Sequence, residues 1–186
     1  PVALEGMSSS SMQYAKGYVG IRWNATDPNG DALTYKLEIR GVGEKEWKPL
    51  KDQVREKYYS WDSTRYADGE YVVRVTVSDA LSNPPAEALT GQAEGDVFII
   101  DNTSPRITGL EGKRLGNRLE IRWRAADQLN NIGKAEYSLD GGDWTVVAPL
   151  GKLSDSKALD YLLSIDDAAP GEHTVAIRVQ DDYDNR

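Results

Sequence analysis

The sequence predicts an all-β chain of two antiparallel β-sandwiches in tandem, and three observations predict it. Apolar residues recur at every second position, one set of motifs appears twice about 100 residues apart, and no segment carries the apolar stripe of an amphipathic helix. A period of two puts successive side chains on opposite faces, so each run buries one face and wets the other.

The runs follow in order. Val19, Ile21, Trp23 and Ala25 point inward while Arg22 and Asn24 point out, and Leu119, Ile121, Trp123 and Ala125 repeat the pattern with Glu120, Arg122 and Arg124 outward. Leu33, Tyr35, Leu37 and Ile39 answer to Ala135, Tyr137 and Leu139. Residues 50–58 carry charges without an apolar stripe and read as a loop. Tyr59 and Trp61 match Tyr161 and Leu163 at an offset of 102. The longest runs, Tyr71, Val73, Val75 and Val77, match His173, Val175, Ile177 and Val179. Gly69-Glu70-Tyr71 recurs as Gly171-Glu172-His173, and Asp79-Ala80-Leu81-Ser82-Asn83 as Asp181-Asp182-Tyr183-Asp184-Asn185. The duplicated unit requires Trp23 and Trp123 to share equivalent core surroundings. The seam falls in Asp101-Asn102-Thr103-Ser104-Pro105, where proline and turn formers break strands. The expected domains are residues 1–101 and 104–186, joined by a short linker that limits rotation.

Copy one continues past Asn83 to Val97-Phe98-Ile99-Ile100, an apparent last strand, whereas copy two has one residue, Arg186, after Asn185. The second sandwich is therefore expected to lack its final strand. An exposed sheet edge invites pairing with another chain; the simpler account, preferred here, is where the piece was cut.

The order of a Trp-bearing second strand, a Tyr-bearing third strand and Gly-Glu-Tyr opening a Val-rich sixth strand resembles fibronectin type III and related immunoglobulin-like modules. Ala25-Thr26-Asp27-Pro28-Asn29-Gly30-Asp31-Ala32-Leu33-Thr34-Tyr35, and Asp101-Asn102-Thr103 before a proline, resemble tandem modules of bacterial secreted multidomain proteins, often appended to propeller domains. That resemblance implies an accessory or adhesive role and names no ligand.

Composition narrows the function classes. The 186 residues carry a net charge of −8, the wrong sign for a nucleic-acid binder. No run of about 18 apolar residues spans a membrane. Cys is absent and His173 is the only histidine, which removes thiol catalysis and cysteine-based zinc sites. His173 aligns with Tyr71, so it reads as a polar-tipped ring in a structural corner rather than a catalytic base. The chain starts at Pro1 and reads as an internal piece of a longer protein.

Three candidate sites remain. Asp27, Asn29 and Asp31 surround a Gly turn at alternate positions, and the sandwich topology brings Asp79 to the same pole. In copy two that pole collects Asp127, Asn130, Asn131, Asp181, Asp182 and Asp184 beside Asp101 at the domain junction. Such oxygens suit Ca²⁺, which takes six to eight ligands, but Asp and Asn also form plain turns by bonding their own backbone, and the turn reading is preferred. No other cofactor is expected. The third candidate is an aromatic patch of Tyr58, Tyr59 and Trp61 on which a sugar ring would stack. Trp23 and Trp123 belong to the core, since burying an indole of about 200 Å² is worth at most about 5 kcal/mol. Trp47 and Trp144 each follow an acid after a turn and start an edge strand. Arg22, Arg74, Arg122, Arg124 and Arg178 form a solvated face with Glu38, Glu120 and Glu136, and Ser8-Ser9-Ser10-Ser11 reads as a flexible loop.

The expected function is a non-catalytic spacer and interaction module of a larger exported bacterial protein, extracellular or at the cell surface. Its partners are the neighbouring domains of the parent protein, with other surface proteins or glycans beyond them, and neither nucleic acid nor membrane insertion. A carbohydrate or cell-surface ligand binder is the first alternative and a Ca²⁺-rigidified adhesive tandem the second. Carboxylate chemistry would require a deep pocket holding two acids.

Overall fold

The computed structural model describes residues 3–8, 15–151 and 153–186. It divides into two compact units, Pro1–Ile100 and Asp101–Arg186. The first unit runs β1 (Ala3–Ser8), β2 (Tyr18–Thr26), β3 (Thr34–Gly41), β4 (Lys48–Val54), β5 (Tyr58–Asp62), β6 (Gly69–Ser78), β7 (Thr90–Glu94) and β8 (Phe98–Ile100). One sheet orders β1-β2-β5; the facing sheet orders β4-β3-β6-β7, with β8 also pairing to β6. The second unit runs β9 (Arg106–Leu115), β10 (Arg118–Ala126), β11 (Ile132–Leu139), β12 (Thr145–Val146), β13 (Ala158–Ile165) and β14 (Val175–Asp181), in sheets β13-β10-β9 and β12-β11-β14. All pairings are antiparallel. This is the layout of fibronectin type III and immunoglobulin-like sandwiches.

The alternation read from sequence is the alternation of burial. Along β2, Ile21, Trp23 and Ala25 are buried while Arg22 and Asn24 are exposed; along β10, Ile121, Trp123 and Ala125 are buried while Arg122 and Arg124 are exposed. Each unit closes its own core, one around Trp23, Tyr35, Leu37, Val75 and Ile100, the other around Trp123, Ile132, Tyr161 and Val179.

The ring packed on each indole differs. Trp23 meets Tyr35 of β3 edge-on at 5.2 Å, whereas Trp123 stacks on Tyr161 of β13 at 4.9 Å with planes 2° apart. Strand register explains the exchange. Ile21 pairs with Tyr59, but Ile121 pairs with Leu163, so β13 lies two residues further along than the sequence match of Tyr59 with Tyr161 implied. A two-residue slip leaves inward residues inward. It places Tyr161 opposite Trp123, where the first unit has Lys57, whose carbonyl accepts the Trp23 amide at 3.0 Å. Tyr35 pairs with Val77 and Ala135 with Val179, so the position of the Tyr35 ring holds a methyl in the second unit, which makes room for Tyr161.

Three further expectations need correction. Residues 50–54 are not loop but the body of edge strand β4, whose mostly exposed side chains hide the period. The closing strand of the first unit has two segments, and β7 is too polar to register as apolar alternation. Glu38 and Glu136 are buried rather than solvated. Arg74 and Lys36 bond Glu38 at 2.8 and 2.9 Å, and Arg178 and Lys134 bond Glu136 at 2.6 and 2.5 Å, their stems covering the carboxylates. Trp47 and Trp144 do precede the edge strands β4 and β12, each beneath a guanidinium: Arg74 lies 4.4 Å from the Trp47 ring centre and Arg178 4.0 Å from that of Trp144. Ser8 ends β1, and residues 9–11 lie outside the described residues.

Among the described residues no strand pairs with the outer edge of β14. Val73, Val75 and Val77 of β6, which β7 and β8 cover, are wholly buried, whereas Val175 and Ile177 of β14 are only half-buried.

Candidate functional site

Each unit gathers three aspartates at the pole where the loops after its second and sixth strands meet. In the first unit, carboxylate oxygens of Asp27, Asp31 and Asp79 lie within 4.8 Å of one another. The Asn29 amide donates to Asp27 Oδ1 at 2.7 Å, closing a turn in which Gly30 takes a φ of +77°. Asp79, with 2% of its surface exposed, accepts the Leu89 amide at 2.7 Å. Asp31 accepts the Asn83 side-chain amide at 3.1 Å. Asn29 contributes its backbone amide to this turn.

The equivalent pole of the second unit brings Asp101, Asp127 and Asp181 within 4.8 Å. Asp101 accepts the Thr103 amide at 3.0 Å and the Asn130 side chain at 2.5 Å. Asp127 accepts the amides of Leu129 and Asn130 at 2.8 and 2.9 Å. Asp181 accepts those of Tyr183 and Asn185 at 2.8 and 2.9 Å. Asn185 ties the group together by donating to the Asp181 carboxylate at 2.8 Å and to the Asp101 carbonyl at 3.1 Å. Of the other predicted ligands, Asp182 is exposed and Asp184 is bonded by Gln180; neither belongs to the carboxylate group. Asn130 stands at this pole as the sequence placed it, whereas Asn185 is a partner that the sequence did not single out.

Two like charges about 4 Å apart repel by roughly 4 kcal/mol at an effective dielectric of 20. Burial, and then the charges of Asp127 and Asp181, push the Asp101 carboxyl above its ordinary range against the lowering hydrogen bonds. A divalent cation or a proton would relieve this crowding, and the oxygen-only donor set suits Ca²⁺. Both poles also serve as turn scaffolds, since their aspartates bond nearby amides.

The aromatic candidates separate. Tyr58 is 53% exposed, while Trp61 is 6% exposed and packs edge-on against Phe98 at 6.1 Å. Tyr59 stacks on Trp61 at 6.3 Å from a half-buried position. Only Tyr58 offers a free ring face.

His173 takes the corner. Its Nε2 lies 2.8 Å from the Ala169 carbonyl four residues back, as the Tyr71 hydroxyl donates to the Ala67 carbonyl at 2.8 Å. Its Nδ1 meets Asp140 at 2.7 Å. The Ala169 carbonyl and then the Asp140 carboxylate raise the imidazole above its ordinary pKa. Arg114 pins the same loop through the carbonyls of Ala168, Ala169 and Gly171.

A cleft of about 390 Å³ opens in the second unit between β9 and β14, lined by Leu110, Leu119, Ile121, His173 and Val175 among others. Glu120 is the only acid in its lining. No helix among the described residues is long and apolar enough to cross a membrane.

No protein-family model matches the chain, and no curated protein does. Among solved structures it is similar to the FN1–FN3 domains of chicken CNTN1, at 16% identity and a TM-score of 0.38 over 89% of this chain. The aligned part spans 57% of that structure.

Proposed function

We propose that the chain is a non-catalytic spacer and interaction module of a larger exported bacterial protein, working outside the cell or on its surface. The observation that carries this reading is that the groups able to do chemistry are already engaged in holding the fold. His173 is fixed between a carbonyl and a carboxylate, the clustered aspartates bind turn amides, and the cleft offers one carboxylate where hydrolysis of glycosides would use two. The duplicated sequence pattern supports a module that adds length. Two experiments test it. In the producing bacterium, fractionation should place the chain outside the inner membrane, and recovery from the cytosol overturns export. In the parent protein, exchange of residues 1–186 for an unrelated two-sandwich pair of similar length should preserve activity if the module is a spacer, and lose it if this surface is recognised.

A second reading, a Ca²⁺-rigidified adhesive tandem, draws support from the crowded carboxylates of Asp101, Asp127 and Asp181. Calorimetric titration with millimolar CaCl₂ should then release heat and raise the melting temperature of the second unit. Absence of both removes the ion. The carbohydrate reading rests on Tyr58 alone; glycan-array binding abolished by Tyr58→Ala would promote it.

A further inference from the structure

We propose that His173 is a proton-operated clasp: the doubly protonated ring ties the turn after β11 to the 166–172 bend, and loss of one proton frees the bend while the turn stays tied. Such a device works whether the chain is a spacer or a binder. Both ring nitrogens face acceptors, Nδ1 lying 2.7 Å from Asp140 Oδ2 and Nε2 2.8 Å from the Ala169 carbonyl. A neutral imidazole carries one N–H and one lone pair, so it serves one of these partners and sets a lone pair against the other. With 13% of its side chain exposed, the ring has little water at hand to replace a lost partner.

The two partners are unequal. A hydrogen bond to a carboxylate is the stronger kind, so the remaining proton stays on Nδ1. Asp140 is held in place for it: its Oδ1 accepts the Thr174 amide at 2.8 Å, and its own amide donates to the Thr174 carbonyl at 2.8 Å, which leaves Oδ2 for the ring. The bend then loses the bond from Nε2 and keeps those from Arg114, which reaches the carbonyls of Ala168, Ala169 and Gly171 from β9. Asp140 and Arg114 are the charged groups that act on the ring, with opposite signs, and Lys113 of β9 and Glu120 of β10 line the cleft beside it. The Ala169 carbonyl and then Asp140 raise the imidazole, so the clasp is closed below the ordinary histidine pKa and opens as the pH climbs through the folded value. The first unit divides the two tasks. Glu44 closes its turn by accepting the Gly41 amide at 3.0 Å, and Tyr71 holds the Ala67 carbonyl at 2.8 Å through a hydroxyl, a group that donates without carrying charge.

His173 is the only histidine, so the imidazole nitrogen NMR signals of the full chain belong to this ring alone. Its titration should end in the Nδ1–H tautomer. Across that titration the amides of residues 168–172 should exchange about three- to tenfold faster than the intrinsic pH dependence accounts for, as the loss of one hydrogen bond implies, while amides of the 140–142 turn keep their protection. Asp140→Asn separates the two bonds. Its carboxamide still accepts the Thr174 amide and now donates to Nδ1, so the neutral ring should become the Nε2–H tautomer, keep Ala169 and show no acceleration. His173→Tyr should show none either. The proposal is overturned by an Nε2–H tautomer in the unaltered chain, by exchange at 168–172 that follows the intrinsic pH dependence alone, or by an Asp140→Asn chain whose bend loosens with pH as before. The first two outcomes need no variant, so the test holds even where a variant fails to fold.

Discussion

The two units bury an indole at the same strand position, yet the ring that packs on it comes from opposite sheets. In the first unit it is Tyr35, from the sheet facing Trp23; in the second it is Tyr161, from the strand beside Trp123. Ala135 occupies the site of the Tyr35 ring, and the slipped register of β13 delivers the replacement. What is kept between the units is a tyrosine ring against the tryptophan and the inward parity of the strands, not the strand that supplies the ring. Cores tolerate such exchanges when total volume and pattern are held.

The largest expected effect breaks this comparison directly. Tyr161→Ala should destabilise the second unit by about 3–5 kcal/mol, as large aromatic truncations do, and leave the calorimetric transition of the first unit in place. Tyr59→Ala, its apparent counterpart in sequence, should cost clearly less because Tyr59 is half-buried. Equal losses would show that the register assignment is wrong. Restoring the first unit's arrangement sharpens the point. Ala135→Tyr alone should cost about 1–3 kcal/mol by overpacking, but combined with Tyr161→Ala it should recover part of the loss, with a coupling of about 1 kcal/mol in a double-mutant cycle. Strict additivity would deny that the two positions share one space.

An intermediate effect appears in acid. Arg178, then Lys134, hold the Glu136 carboxyl at about 2, and Lys36, then Arg74, lower that of Glu38 less. A depressed carboxyl contributes stability above its ordinary value near 4.5, and that contribution is lost as the pH falls toward 2. Glu136→Gln should therefore flatten the acid limb of the second unit's melting curve more than Glu38→Gln flattens the first's.

The smallest effect concerns the corner. His173 is raised, so its contribution is present below the ordinary histidine pKa and fades as the pH rises through the folded value. Both groups facing its nitrogens accept hydrogen bonds, which favours the doubly protonated ring. His173→Tyr should remove this slope above the ordinary histidine pKa and give the second unit the first unit's neutral corner, read from melting temperature against pH.

Much of this was legible in the sequence because a period of two is a local signal. Trp23, Trp123, Val75 and Val179 could be placed inward without coordinates, and His173 could be matched to Tyr71. The β13 register was not legible, since a shift of two changes no residue's face. The extent of β4 past its start near Trp47, and the whole of β7, were missed because edge strands bury too little to impose an apolar rhythm. The buried state of Glu38 and Glu136 was missed because it depends on cations from neighbouring strands. At the acidic poles the sequence named the aspartates that converge, but Asp182 and Asp184 were indistinguishable from them until the turn at Asp181 was seen to direct its own carboxylate toward Asp101.

The two-part closing segment of the first unit also bears on synthesis. β8 lies some thirty residues after the Gly69–Tyr71 edge it seals, so a nascent chain must keep that seam unsealed until Ile100 has cleared the exit tunnel. The interval between the emergence of Tyr71 and that of Ile100 from the tunnel is thus the one in which a chaperone would find the half-built domain, and a pause in that interval would lengthen its exposure.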